Sequence, residues 1–198
     1  MVHKPPSPSA PIRSSTLSSF CQDTTRSILS TMSKSSEHRF EITQTDDSRL
    51  IHGDWMAVTI AQSNLFRLIL KVNYRDDDAQ ALALPAYERV EVLSIRQIND
   101  FVREYSSQVM GRLKSIIESH ADDVQSSFPL VTHGQDYRFF APNPAVPHYE
   151  DCWLLWTDKA IMQCSVSIEF TDASLIERVQ LPAFPDRARS GMIENFLE

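Results

Sequence analysis

Asp100, Glu104, Ser107 and Gly111 stand at i, i+4, i+7 and i+11 in the stretch SIRQINDFVREYSSQVMGRLKSIIESH. On a helix that spacing draws a straight row along one face. The row offers two carboxylates, then a hydroxyl that both accepts and donates hydrogen bonds, then a position with no side chain. Asp and Ser are indifferent helix formers, and a mid-helix Gly costs about 1 kcal/mol relative to Ala. A face that meets only water is more cheaply built from Glu, Lys and Ala. The plain reading is a solvated face with one tolerated glycine. A flat polar row with a gap at Gly111 is also what a docking surface for another protein needs.

The element that must carry the row is Ser94 to His120, one amphipathic helix of about six or seven turns at roughly 3.6 residues per turn. Ile95, Ile98, Val102, Tyr105, Val109, Leu113 and Ile116 step by threes and fours. At about 100° per residue they keep inside a stripe roughly 80° wide, the face to be buried. Ser94 with Gln97 forms a capping box, and Leu93 with Ile98 the hydrophobic staple beside it. The spacing therefore predicts Asp100, Glu104 and Ser107 outward, and Ile98, Val102, Val109 and Leu113 inward.

With Pro129 opening the next apolar stretch, the pattern Asp100-x3-Glu104-x2-Ser107 resembles the signature of the CheC/CheX/FliY chemotaxis phosphatases. That signature is Asp or Ser, three residues, Glu, two residues, Asn, about twenty-two residues, then Pro. Here 21 residues separate Ser107 from Pro129, and Ser107 stands where the family has Asn. The order of elements from about residue 15 to about 172 fits the family as well.

The resemblance implies a sheet backed by two long helices and an action on the phosphorylated receiver domain of a response regulator, in two-component chemotaxis signalling. It implies that Glu104 pairs with a receiver lysine, and that the amide position, here Ser107, holds a water in line with the aspartyl phosphate. The enzyme brings no cofactor of its own; the Mg²⁺ belongs to the receiver. Such catalysis works by positioning and electrostatics. Asp100, Gln108 and Gly111 fall to the partner-binding surface. The serine side chain is shorter than asparagine, and Gln108, about 100° further round the helix, is an imperfect substitute. Two expectations follow: an aspartyl-phosphate phosphatase, or a domain of the same fold that binds a receiver or another signalling protein without dephosphorylating it.

Other chemistry finds little support. His52, His120, His133 and His148 form no HxxxH or HxxEH arrangement, so no metal site is expected. No phosphate-cradling glycine loop or GxSxG elbow occurs. Asp76, Asp77 and Asp78 are consecutive, so on a helix they point apart; they suit a capped first turn against the helix dipole. Trp153 and Trp156 fall on opposite faces of a strand, with at least one in the core.

A chain of 198 residues, 42% hydrophobic, can bury one sizeable core. A formal net charge of −7 argues against a nucleic-acid surface, which needs a basic stripe. No apolar run approaches a bilayer-spanning length, and no secretory signal is legible. Cys21, Cys152 and Cys164, widely spaced, suit reduced thiols in a cytoplasmic protein.

Residues 1–13 read as a disordered leader rich in Pro and Ser, 14–172 as the CheX-like domain, and 173–198 as a C-terminal extension. Within the domain the pattern predicts a helix over 15–33 and a short strand over 39–44. Strands over 55–62 and 65–73 follow, joined through Ser63-Asn64, with Met56, Val58 and Ile60, and Phe66, Leu68, Leu70 and Val72, at period two. A helix over 76–84 ends at Pro85. In the first helix Asp23 is followed by Arg26 and no Glu-x-x-Asn, so a second copy of the motif is not supported. After the long helix come short apolar segments over 129–133 and 135–140, an irregular loop over 141–148, and a hairpin of 151–157 with 161–170 across Asp158-Lys159. The fold class is α+β, an antiparallel sheet with two long helices packed on it. Met192, Ile193, Phe196 and Leu197 give a short amphipathic end that can dock on this subunit or on a second one in a homodimer. Neither nucleic acid nor membrane is an expected partner.

Overall fold

In the computed structural model, residues 12–34, 40–45, 53–87, 90–117 and 123–171 are described. The leader up to residue 11, the end of the long helix at 118–120, His52 and the extension over 173–198 lie outside them. Chain pairing begins early, because the Ile12 N–H donates to the His148 carbonyl at 2.7 Å beside a parallel bridge to Tyr149.

Helix α1 (Ser15–Met32) starts where Ser14 caps it, accepting from the Leu17 N–H. Strands β1 (Glu41–Gln44), β2 (Trp55–Gln62) and β3 (Phe66–Tyr74) follow, then α2 (Asp76–Ala83) and a 3₁₀ turn (Leu84–Ala86) that takes in Pro85. After α3 (Ile95–Ile117) come β4 (Gln125–Ser126), β5 (Leu130–His133), a 3₁₀ segment (Gly134–Phe140), β6 (His148–Trp156) and β7 (Ile161–Phe170). Among the described residues the sheet runs β1-β6-β7-β3-β2-β4, with β5 also on β2, and these seven strands pair antiparallel throughout. The fold is α+β, with α1 and α3 packed on one face. No helix among the described residues is long and apolar enough to cross a membrane.

The two hairpins differ in how legible their turns are. Asp158-Lys159 is the turn of β6–β7, closed by the Thr157 N–H on the Ala160 carbonyl and by the Thr157 hydroxyl, which accepts from both Lys159 and Ala160. In β2–β3 the turn is one residue later than the sequence suggests. Ser63 N–H donates to the Phe66 carbonyl and Ser63 Oγ accepts from Leu65, so Asn64-Leu65 occupy the corner and β3 starts at Phe66. A serine that bonds its own turn is a local side-chain alternative to continuing the ladder.

The period-two reading of β2 needs a correction. Ala57 and Ala61 join the core beneath the helices, with Phe66, Leu68, Leu70 and Val72 of β3. Register puts Met56 opposite Asn73 and Val58 opposite Lys71, on the other face, yet Met56 and Val58 are buried too. Both faces are covered: small residues let α3 approach one side, and the 3₁₀ segment lies over the other, where Tyr137 sits on Lys71.

Helix α3 carries the predicted cap. Gln97 Oε1 accepts the Ser94 N–H at 3.0 Å, and Ser94 Oγ accepts the Gln97 N–H at 3.4 Å, a reciprocal capping box. Leu93 and Ile98 are both buried. The buried face holds Ile98, Val102, Tyr105, Val109 and Leu113 as expected, but also Phe101, Ser106 and Met110. At about 100° per residue it is therefore roughly 180° wide. Ile95, placed in the stripe by its spacing, is 60% exposed; its angle is right, but it lies in the first turn, ahead of Ile98, where the packed core begins. The side chain of Ile116 is outside the described residues.

Candidate functional site

What fixes the rotation of α3 is a set of buried hydroxyls. Tyr105 OH donates to the Thr25 carbonyl of α1 at 3.2 Å, and Thr25 Oγ1 accepts from Trp153 Nε1 of β6 at 3.1 Å. Tyr74 OH of β3 donates to Asn99 Oδ1 at 2.9 Å. Burial pushes both phenols well above their ordinary values, so they remain neutral donors. With Tyr105 and Asn99 held inward, Asp100, Glu104, Ser107, Gln108 and Gly111 are all exposed on the opposite side. The sequence-predicted row is therefore one surface.

Its electrostatics separate the two acids. Asp100 lies between Arg96 at 3.9 Å and Arg103 at 3.5 Å, so its charge is shared within the helix. Glu104 has no ion pair among the described residues; its Oε1 accepts the neutral Gln108 amide at 2.9 Å. Glu104 is thus the carboxylate open to a cation from outside. Gln108 turns along the row toward Glu104 and away from covering Ser107. Ser107 Oγ makes no hydrogen bond with any described residue, and lies about 4.5 Å along the axis from Glu104 at 1.5 Å per residue. Around Gly111 no atom comes within 4 Å of where a Cβ would be, so the gap opens to solvent.

Sequence reasoning missed the wall beside the row. An open groove of about 380 Å³ is lined by Met32 from the end of α1, Ala86 at the end of the 3₁₀ turn with Tyr87 after it, and Asp100, Phe101 and Glu104. Tyr87 is held there by its hydroxyl, which donates to the Gln97 carbonyl at 3.4 Å. These residues come from three distant segments, and no local pattern joins them.

The remaining candidates have structural roles. His133 stacks on Trp55 with ring centroids 4.9 Å apart, and His148 Nδ1 lies 3.0 Å from the Val146 carbonyl. Asp76 accepts from Trp55 Nε1 at 3.2 Å and Asp78 from the Ile161 N–H at 3.1 Å, so the acids of α2 pin it to the sheet. Its N-cap, Arg75, makes no side-chain cap bond, contrary to the expected capped turn. Trp153 is core and Trp156 partly exposed. On α1, Asp23 pairs with Arg26. The three cysteines are free and buried.

No family model and no curated protein sequence matches this chain. Solved structures do. A CheC-like superfamily protein from Shewanella sp. PV-4 superposes with a TM-score of 0.58 at 13% identity, over 79% of this chain and 99% of that one. The chemotaxis protein CheX from Vibrio vulnificus gives 0.56 at 14% identity, over 76% and 97%. CheX from Borrelia burgdorferi, in its complex with CheY, BeF₃ and Mg²⁺, gives 0.57 at 9% identity, over 76% and 96%. The chain has the CheC/CheX-type fold.

Proposed function

We propose that this protein is a CheX-like chemotaxis signalling protein that docks the receiver domain of a phosphorylated response regulator on α3 and promotes loss of its aspartyl phosphate. The observation that carries the reading is the exposed row of Asp100, Glu104, Ser107 and Gly111, with Glu104 uncompensated by any described cation. Its support from outside is that the B. burgdorferi CheX of the same fold is bound to CheY. Glu104 receives a lysine of the receiver, and Ser107 orients the attacking water; Asp100, Gln108 and Gly111 complete the contact. Mg²⁺ comes with the receiver. Three unpaired thiols fit a cytoplasmic setting.

A second reading has its own observation. Ser107 is shorter than the family's Asn, and Gln108 is committed to Glu104, so no amide reaches out beside the hydroxyl. On that reading the chain binds the receiver and leaves its phosphate in place. Phosphate release from phosphorylated receivers of the source organism, measured with and without the protein, separates the two. Faster release supports the phosphatase; binding without faster release supports the second reading; no binding removes both.

A further inference from the structure

The open groove beside the α3 row is built on the hydrophobic core itself. Phe101, 4% exposed, is its floor, and Met32 and Tyr87 are partly buried against the same core. Ala86 completes the apolar lining, and Asp100 and Glu104 supply the acidic edge. Among the described residues no base lines it.

The walls stand in place without a partner. Tyr87 follows a 3₁₀ turn that contains Pro85, whose ring fixes φ. Its N–H donates to the Leu84 carbonyl at 3.1 Å, and its hydroxyl to the Gln97 carbonyl at 3.4 Å. Met32 ends α1, where the Ser33 N–H closes the last turn on the Leu29 carbonyl at 2.9 Å. A surface formed in advance spends little of its binding energy on ordering itself.

What the groove accepts follows from its edge. Glu104 belongs both to the row and to the groove, and it has no ion pair among the described residues. Asp100 shares its charge with Arg96 and Arg103. A cation docked on Glu104 therefore carries its neighbouring residue across Met32, Tyr87 and Phe101. An apolar side chain there takes those walls out of water. A short polar one leaves them wet, and a carboxylate meets Asp100 and Glu104 instead.

We propose that the groove is the selective part of the receiver-docking surface. It takes one large aliphatic or aromatic side chain next to the lysine that pairs with Glu104, and it distinguishes receivers by that residue. The inference rests on receiver docking at α3. To that docking it adds a specificity-determining contact from Met32, Ala86 and Tyr87, which lie outside the row.

Receiver domains of the source organism, held in the phosphorylated form by Mg²⁺ and beryllium fluoride, are titrated against the full chain and three variants. Ala86→Trp fills the groove, and Met32→Gln makes one wall polar; both leave the charges of the row in place. Glu104→Ala removes the open carboxylate, and melting temperatures report whether each variant is folded. Ala86→Trp and Met32→Gln are each expected to weaken binding about tenfold or more, the scale of burying one large apolar side chain. Their losses persist in high sodium chloride, whereas the Glu104→Ala loss shrinks, because salt screens an exposed ion pair and not an apolar contact. On the receiver, replacing the apolar residue next to the docking lysine by serine weakens binding to the wild type by a similar factor and removes the effect of Ala86→Trp. That last test leaves this chain unaltered, so it decides the question whatever the variants do to the fold. Binding that depends on Glu104 but is unchanged by both groove variants and by the receiver substitution overturns the inference and leaves the docking reading standing. No receiver binding removes both. A groove variant that alters self-association in sedimentation, with receiver affinity intact, makes a second copy of this chain the occupant and overturns the inference as well.

Discussion

Position 107 shows how much of the proposed chemistry hangs on the length of one side chain. Ser107 Oγ is exposed and lacks a bond to any described residue, so nothing in the chain redirects a longer side chain placed there. Ser107→Asn restores the family's amide at a site where neither residue has strong helix propensity. It is expected to be nearly neutral in melting temperature and to raise phosphate release from a bound receiver by about 10- to 10³-fold, the scale of a restored water position. An Asn variant no faster than an active wild type shows that Ser107 or Gln108 already does the work. Glu104 has a separable role. Glu104→Ala removes an exposed i,i+4 pair with Gln108, worth about 0.2–0.5 kcal/mol, so the protein stays folded while receiver affinity falls. A large drop in melting temperature with affinity intact, read by calorimetry and a binding titration, counts against a site at Glu104.

At the scale of elements, legibility followed periodicity and local caps. The long helix, its capping box and its outward row were readable because each depends on residues within a turn or two: Ser94 with Gln97, and Asp100 with Glu104 and Ser107. The β6–β7 corner was readable for the same reason. What escaped depends on pairs distant in sequence. Ile95 has the spacing of a core residue, but only the position of the sheet leaves it exposed. Met56 and Val58 alternate correctly, yet the face they join is buried by a 3₁₀ segment some eighty residues later. Neither the groove of Met32, Tyr87 and Phe101 nor the covering of Lys71 by Tyr137 has a local pattern at all. Gly111 tests whether the row was built for docking. No atom lies within 4 Å of a Cβ there, so Gly111→Ala meets no clash and gains about 1 kcal/mol of helix propensity. That corresponds to a melting temperature higher by about 2–4 °C. If the gap admits a partner, receiver affinity falls at the same time; a variant that melts higher and binds equally well takes Gly111 off the docking surface.

For the molecule as a whole, burial of ionisable groups sets two opposing dependences on pH. Burial raises the thiols of Cys21, Cys152 and Cys164, the last to about 12. Because unfolding lets them ionise near pH 9, the native state holds more protons above that pH. Their stabilising contribution is therefore complete below about pH 9 and declines as pH rises toward their folded values. Lys71 works the other way. Its folded pKa of about 8 lies below the ordinary lysine value of 10.5, so the unfolded chain binds the extra proton between those values. Its contribution to stability is full above about pH 10.5 and is lost as pH falls through 8, a burden of roughly 3 kcal/mol at neutrality at about 1.4 kcal/mol per unit. Three thiols against one amine predict a melting temperature that falls from pH 9 to pH 11. Lys71→Met keeps the aliphatic bulk and deletes the opposing dependence. The variant is expected to be at least as stable as wild type at pH 7 and to lose stability more steeply between pH 8 and 10.5, as followed by thermal melts at matched ionic strength. Parallel curves for the two proteins show that the amine at position 71 is hydrated in the native state and is not a charge buried beneath the Tyr137 ring.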